Sequence, residues 1–468
     1  MRTPHCTRLA VSLACLAAMT GCALNAPPDV KGLTETELAH ATPPAAWKAG
    51  GTAGALQDNW LISFGDARLL PLAEEALRYN VDLRVAAARV ESAAASVKAA
   101  GGTLYPEVNA IARTSGDATG AGGQLSGLIF SASWELDLWG RIRYGQRAQE
   151  EQYASAEADQ RYAQQSIVAT LAKAWFLAAE AAQQQRLVSD MQAAAERLLK
   201  LAQDRQRIGV GSEVDVALAR ANLQSYRDSA RQIDFSLSQS RRALELLLGR
   251  YPAAEIELPS MLTSMPAPAP AGVPSELLER RPDVRAAENR FNAAFARVGE
   301  AGANRLPKLS LTAALSSISS TIFVLQERDD PTVGVGATLF FPVFNGGQLA
   351  AQVELRTAEQ KQAAAAFAQT AQRAFNEVES ALAAEASLAT RDLILQQGLA
   401  DSARALELQQ ARYKVGSVDL RSVTQQQIAT YAASMSLLRV QTEQRVQRVQ
   451  LHLALGGSFA APATTAAR

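Results

Sequence analysis

The sequence has few of the residues on which most catalytic and metal sites depend. Its 468 residues include three histidines, at positions 5, 40 and 452, and three cysteines, at positions 6, 15 and 22. They form no spaced cluster, so we expect neither a structural zinc site nor a Cys/His catalytic pair. Since no phosphate-binding loop or nucleophile–histidine pairing is present either, the sequence predicts no enzyme activity and no cofactor.

The sequence also lacks an excess of charge of one sign and long apolar runs. The 46 Lys and Arg residues balance the 46 Asp and Glu residues, whereas a nucleic-acid-binding face requires an excess of basic residues. We therefore expect no nucleic acid partner. No window supplies the roughly 18 uninterrupted apolar residues that a membrane-spanning helix needs. Apart from an attached lipid, contact with a membrane must then depend on strands or on the surface.

Residues 1–21 are predicted to be a signal peptide. Arg2 and Arg8 precede an apolar run, 9–18, that is too short to span a bilayer. The next residues, Met19-Thr20-Gly21-Cys22, resemble the lipobox of bacterial lipoproteins, in which the cysteine becomes the acylated first residue of the mature chain. That resemblance implies S-diacylglycerol and N-acyl groups on Cys22, and Ala23 after it is similar to the signal for the outer membrane. An ordinary secretory signal with a chance cysteine is the alternative.

The mature chain contains a tandem duplication. Residues 82–89 match residues 283–290 at an offset of 201, and further on an offset of 207 pairs Gly140 with Gly347 and Gly209 with Gly416. The extra residues fall between 307 and 347, where a loop can absorb them. A unit of this length is far longer than a solenoid repeat. We place the first repeat at 66–249 and the second at 276–456.

Each repeat has the same internal order. A helix is predicted over 81–104 and again over 283–304, each ending before a proline. Short stretches that alternate apolar and polar residues follow, and they predict β-hairpins over 106–139 and 307–344. Proline-free segments with one glycine each, 141–207 and 348–414, come next, and each is followed by a short glycine-containing turn and a return segment. Together they predict helical hairpins over 141–248 and 348–455. At 1.5 Å per residue, the first helix of each hairpin is roughly 100 Å long.

Three segments lie outside the repeats. Residues 22–65 are expected to be an extended N-terminal segment with little packing, and 457–468 a loose C-terminal tail. Residues 250–275 are rich in proline and are expected to form an extended linker.

Neither structural part of this chain is complete by itself. One helical hairpin cannot bury its apolar stripe alone, and four strands cannot close a barrel, although open strand edges are not tolerated in lipid. Three copies would supply 12 strands and 12 helical rods, enough for a barrel with an open lumen. We therefore predict a mainly α fold with a trimeric 12-stranded membrane β-barrel continued by a long α-helical barrel, a conduit across the bilayer.

Several motifs carry a resemblance to a known family. They are Trp60, 64–66, 80–83, 88–90, 133–143, 211–216, 280–288, 306–307 and 341–347. The sequence resembles the TolC superfamily, and within it the NodT-type outer-membrane lipoproteins of resistance-nodulation-division (RND) efflux systems. The resemblance implies a homotrimer in the outer membrane that acts as the exit duct of a tripartite pump for drugs or other small molecules. A periplasmic adaptor and an inner-membrane RND pump are the implied partners.

The turns between the paired long helices are the candidate functional site. In the family these tips meet the adaptor and form the closed aperture. The alternative is that the glycines only permit the reversal and that Ser212 only caps a helix. Some members carry a carboxylate pair at places that fall on Ser422 and Gln425 here, whereas Asp215 can form an acidic ring with its symmetry mates. The matching residues are Gly209, Val210, Gly211, Ser212, Asp215, Val415, Gly416, Ser417, Asp419 and Arg421.

Other interpretations remain open at this point. A periplasmic adaptor or a purely structural coiled-coil lipoprotein would also contain long helical hairpins. An adaptor would have one hairpin flanked by β-rich segments, and a structural lipoprotein would lack the amphipathic strands.

Two further motifs have more than one interpretation. Trp134 and Trp139 suit either an interfacial aromatic belt or local packing. The Arg280–Asp283 string is expected to start a helix, because negative charge in the first turn is favourable.

Overall fold

A computed structural model describes residues 24–51, 54, 58–115, 125–259, 261–320 and 332–457. The predicted signal peptide, Cys22 and the predicted tail beyond Gly457 lie outside these residues. The chain divides into two compact units. The first contains residues 1–42, 87–159 and 283–370, and the second contains residues 43–86, 160–282 and 371–468.

The first half of the chain places two strands between its helices. Helices α1 (Val30–Glu37) and α2 (Trp60–Ser63) precede α3 (Leu69–Tyr79) and α4 (Val81–Gly102). Strands β1 (Glu107–Ser115) and β2 (Leu125–Leu136) follow, and then α5 (Arg141–Arg207) and α6 (Glu213–Leu247). The long helix expected from residue 141 runs without a break to Arg207, because no proline interrupts it.

The second half repeats this order. Helices α7 (Pro274–Arg280) and α8 (Pro282–Ala303) precede strands β3 (Lys308–Ser320) and β4 (Thr332–Phe340). Helices α9 (Gln348–Lys414) and α10 (Leu420–Ala454) follow. Both α5 and α9 have 67 residues, and both α6 and α10 have 35. The equal lengths are what a tandem duplication predicts. Among the described helices, none combines the length and the apolar character that crossing a lipid bilayer requires.

The four strands form one antiparallel sheet in the order β1-β2-β3-β4. The central pair joins the two repeats, with Phe130 opposite Leu315 and Trp134 opposite Leu311. Large apolar side chains of the sheet, among them Phe130, Val335 and Leu339, are exposed in the single chain. A sheet with uncovered apolar side chains and two open edges is incomplete in water.

The expectation of an extended, loosely packed segment over 22–65 is wrong for the described part of it. Asp29 caps α1 by accepting a hydrogen bond from the backbone N–H of Gly32 at 2.8 Å, and Leu33 of that helix is buried. Trp47 is also buried, and its indole N–H donates to the carbonyl of Ala271 at 3.0 Å. The segment packs because it carries large apolar side chains, and their burial stabilises the folded chain.

The core of the second unit explains the Phe64-Gly65-Asp66 motif. Phe64 packs with Phe176 and Trp60. Asp66 accepts hydrogen bonds from the Trp175 indole at 3.0 Å and from the Arg68 guanidinium at 2.9 and 3.0 Å. Burial raises the pKa of the Asp66 carboxyl, but these bonds to its charged form outweigh burial, so its pKa is lower than usual.

The Arg280–Asp283 string has a second role beyond starting a helix. Pro282 begins α8 and Asp283 lies in its first turn, as expected. Arg281, however, is buried, and its guanidinium donates to Glu377 at 2.7 Å and to the Ala454 carbonyl at 3.0 Å. This contact joins α9 and the end of α10 to the C-terminal end of α7. The sequence does not predict it, because the partners lie far along the chain.

Candidate functional site

The first tip connects α5 to α6 through a turn closed by the backbone. Gly209 has φ +79°, a left-handed conformation that L side chains rarely adopt. The N–H groups of Val210 and Gly211 both donate to the Arg205 carbonyl at 3.0 Å, which pairs an otherwise unsatisfied group at the helix end. A Cβ atom at Gly211 would lie 2.8 Å from the backbone nitrogen of Gln206. Glycine is therefore favoured at 209 by the backbone conformation and at 211 by the close backbone contact.

Ser212 and Asp215 form a reciprocal cap at the start of α6. The Ser212 hydroxyl accepts from the Asp215 N–H at 3.1 Å, and the Asp215 carboxylate accepts from the Ser212 N–H at 3.4 Å. The interpretation that Ser212 caps a helix is confirmed. The carboxylate also lies in the first helical turn, where negative charge is favourable.

The second tip connects α9 to α10 with similar backbone geometry. Gly416 has φ +77°, and the Ser417 N–H donates to the Arg412 carbonyl at 2.9 Å. Asp419 is the N-cap and accepts from the Ser422 N–H at 2.9 Å and from the Ser422 hydroxyl at 2.6 Å. The hydroxyl bond, followed by the N–H bond, lowers the pKa of the Asp419 carboxyl. Ser422, which takes one place of the carboxylate pair in other members, thus serves the cap.

A contact that the sequence does not predict joins the two tips. The guanidinium of Arg205 donates to the Tyr413 carbonyl at 3.0 Å and to the Val210 carbonyl at 3.5 Å, and lies 4.9 Å from the Tyr413 ring centroid. Burial raises the pKa of the Tyr413 hydroxyl, the negative charge of Asp215 raises it further, and Arg205 opposes both. Three residues from both repeats, Arg205, Asp215 and Tyr413, therefore meet at the tips.

The duplication explains why sequence reasoning missed this contact. The offset of 207 pairs Arg205 with Arg412, so both tips carry an arginine in the last turn of the incoming helix. Tyr413 corresponds to Gln206, however, and only one repeat has the aromatic ring. A difference between repeats at otherwise matched positions was the available signal.

Apolar side chains project from both tips, whereas the helices behind them are packed. Leu198, Ala202, Val216, Leu420 and Val423 form a buried cluster with Tyr413 and Ala219. The large exposed apolar residues around the turns are Ile208, Val210, Val214 and Val415. Arg421 is exposed as well. Exposed apolar side chains at the end of a rigid helical pair are suited to contact with another protein.

The described residues include no group of three or more His, Cys, Asp or Glu side chains that could hold a metal ion. Cys22, the predicted lipidation site, lies outside the described residues. At the tips, the structure brings together residues of both repeats.

Comparison with known proteins identifies the class to which this fold belongs. The family model described as "Outer membrane efflux protein" matches residues 72–250 and 273–457, one match for each repeat. The cation efflux system protein CusC of Escherichia coli O6:H1 is 30% identical over 413 residues, which cover 86% of this chain and 88% of CusC. The toluene efflux pump outer membrane protein TtgC of Pseudomonas putida is 30% identical over 421 residues and 86% of each chain.

A solved structure shares the same fold. The outer-membrane channel OprN is 27% identical, with a TM-score of 0.81 over 90% of this chain and 97% of OprN. The chain belongs to the outer membrane efflux protein family. The expected fold class, that of trimeric channels built from a β-barrel and a helical barrel, and the expected role as an outer-membrane efflux channel are confirmed.

Proposed function

We propose that three copies of this chain form the exit duct of a tripartite pump, passing drugs or other small molecules from the periplasm to the exterior. Its partners are a periplasmic adaptor, which binds the tips, and an inner-membrane RND pump. The observation that carries this proposal is that each matched repeat contains, between its two long helices, a glycine turn with exposed apolar side chains. CusC and TtgC, by their names, serve cation and toluene efflux.

Features of the sheet support a duct made of several copies. Strands β1 and β4 are the edges of the sheet, and their backbone groups can pair with the edges of neighbouring copies. Closure into a barrel satisfies both edges and places the exposed apolar side chains of the strands against lipid.

We further propose that Cys22 carries N-acyl and S-diacylglycerol groups that anchor the chain in the outer membrane. Each buried methylene of an acyl chain contributes about 0.8 kcal/mol, so several chains anchor firmly. Incorporation of radiolabelled palmitate into the wild-type protein and its absence from Cys22→Ser are expected. Trimer formation and part of the export should survive in Cys22→Ser, because the barrel itself spans the membrane.

Reversible crosslinking of the tips tests the aperture. If Cys6 and Cys15 leave with the signal peptide and Cys22 is acylated, Val210→Cys with Val415→Cys supplies the only free thiols. A reducible crosslinker should lower drug resistance of the complemented deletion strain to that of the deletion strain, and reduction should restore it. The matched control pair is Tyr251→Cys with Leu246→Cys, both exposed in the second unit. Undiminished export by fully crosslinked tips would show that no aperture opens there.

A further inference from the structure

A cavity near the tips, which we call the tip cavity, is lined by helices of both repeats. Its volume is about 240 Å³. Ala194, Leu198 and Leu201 recur at spacings of three and four residues, which places them on one face of α5, where they form an apolar wall. Helices α9 and α10 supply other lining residues, among them Tyr413 and Gln427. The cavity therefore exists only where the two repeats pack together.

Gln427 brings a buried amide to the tip cavity. The residue is 2% exposed, and its Oε1 atom has no hydrogen-bond partner among the described residues. An unpaired buried polar atom costs free energy, so it calls for an explanation. Because an amide can turn about its terminal torsion, it can present either its N–H groups or its oxygen. Gln427 can therefore bind an oxygen-containing ligand in the cavity.

Two basic side chains supply positive charge at the tip cavity. Arg197 of α5 and Lys414 of α9 both line it, and both are exposed. Neither forms an ion pair with another described residue, whereas Arg404, also on α9, binds Glu407 at 3.0 Å. Two unpaired cations beside an apolar wall favour a ligand that has an apolar body and a negative charge.

The size of the tip cavity limits the ligand. An apolar cavity of about 150 Å³ holds one benzene molecule, and drug-sized ligands occupy sites of about 300–1,000 Å³. The volume of about 240 Å³ lies between these values. It is therefore suited to a molecule with a single ring and one polar substituent.

We infer that the tip cavity is a binding site for a small organic acid. The apolar body of the acid packs on Leu198 and Leu201, and its carboxylate binds Arg197, Lys414 and the N–H groups of Gln427. A bound acid contacts α5 of the first hairpin and α9 and α10 of the second. An occupied site therefore opposes separation of the two hairpins. This effect on opening rests on the proposed function as a duct, whereas binding itself does not.

Binding of 4-fluorobenzoate to the purified trimer tests the site. Line broadening in the fluorine NMR spectrum measures its affinity at neutral pH, where the acid is ionised. The matched probe is 4-fluorobenzamide, a neutral molecule of nearly the same shape. We expect the wild-type trimer to bind the amide about tenfold more weakly than the acid, because the amide lacks the charge that the two cations attract.

Substitutions locate the bound acid. Arg197→Gln with Lys414→Gln should weaken its binding about tenfold, because both charges are removed. The matched control is Lys200→Gln with Arg220→Gln, which removes one lysine and one arginine at exposed positions that do not line the cavity. Gln427→Leu keeps the approximate size of the side chain and should also weaken binding. Equal affinity for the acid and the amide, or equal weakening by the two pairs of substitutions, would overturn the site.

Single-channel conductance of the trimer in a planar bilayer tests the effect on opening. On the side of the tips, 4-fluorobenzoate should shorten the open time of the wild-type channel and leave that of Arg197→Gln with Lys414→Gln unchanged. An unaltered open time in a wild-type trimer that binds the acid would overturn the effect on opening but not the site. A trimer that binds the acid and conducts no ions would contradict the proposed duct, again without overturning the site. Selective binding together with shorter open times supports both.

Discussion

The two return helices, α6 and α10, hold the same proline-rich linker in opposite ways. On α6, the buried carboxylate of Glu245 accepts hydrogen bonds from the backbone N–H groups of 254–256 at 2.6 to 3.0 Å. On α10, the guanidinium of Arg445 donates to the carbonyl of Thr263, and that of Arg448 donates to the carbonyls of Pro266 and Ala267. One repeat therefore pairs the donors of the linker, and the other pairs its acceptors.

The comparison shows how two duplicated helices together hold a segment that has no regular backbone hydrogen bonding of its own. A linker with many prolines lacks donors for regular pairing, yet its buried backbone groups still need partners. Glu245 corresponds to His452 under the offset of 207. His452 binds no linker group in the described structure, and its ring stacks on Trp60 at 5.3 Å. Matched positions have thus taken different tasks, and substitutions at each should have different effects.

The largest effect is expected from Glu245→Ala. It leaves three partly or fully buried N–H groups without their acceptor, and we expect the free energy of unfolding to fall by about 3 kcal/mol. Unfolding of purified trimers, followed by circular dichroism in denaturant, measures this change. The control is Glu257→Ala, at an exposed residue of the same linker. Equal destabilisation by both substitutions would contradict the role given to Glu245.

His452 should make stability depend on pH. Burial first, and the nearby charge of Arg448 second, lower its pKa from 6.5 to about 4. The unfolded chain therefore binds a proton between these values while the folded chain does not, so stability falls as pH decreases from 6.5 towards 4. At about pH 5 the loss should be about 2 kcal/mol. His452→Gln should remove this part of the pH dependence of the unfolding free energy. His40→Gln, at an exposed residue, should leave it in place. An unaltered pH profile of stability in His452→Gln would contradict the role given to His452.

Local signals in the sequence predict the elements of this fold better than the contacts between them. The absence of proline and the glycine turns predict α5, α9 and their return helices, and Ser212 is recognisable as a cap because its partner lies three residues away. The contacts of Glu245 with the linker, of Arg281 with Ala454 and of Arg205 with Tyr413 depend on how the folded helices are placed. Composition led to a wrong prediction for 22–65, because the segment is rich in small residues and only a few large apolar residues in it pack.

At the tips, Arg205 and Arg412 are matched by the duplication but not by their contacts. Arg205→Ala removes two hydrogen bonds and the contact with the Tyr413 ring. It should lower the free energy of local unfolding at the tips by about 1.5 kcal/mol. The side chain of Arg412 is exposed, and Arg412→Ala should change the tips little. Amide hydrogen exchange at 205–216 and 410–423 measures the difference. Equal exchange in the two variants would show that Arg205 does not join the tips.

The smallest effect separates the two helix caps. Ser212→Ala should destabilise the first turn of α6 by about 1 kcal/mol, the usual contribution of an N-cap. The Asp419 cap depends on the charge of its carboxylate, whose pKa is lower in the folded chain than usual. The stabilisation by this cap is therefore complete above the ordinary carboxyl pKa. It is lost as pH falls through the lower pKa of the folded chain. Amide exchange at 420–423 should therefore accelerate in acid relative to intrinsic rates, and Asp419→Ser should abolish that acceleration. Unchanged acid exchange at 420–423 in Asp419→Ser would contradict the role given to the Asp419 charge.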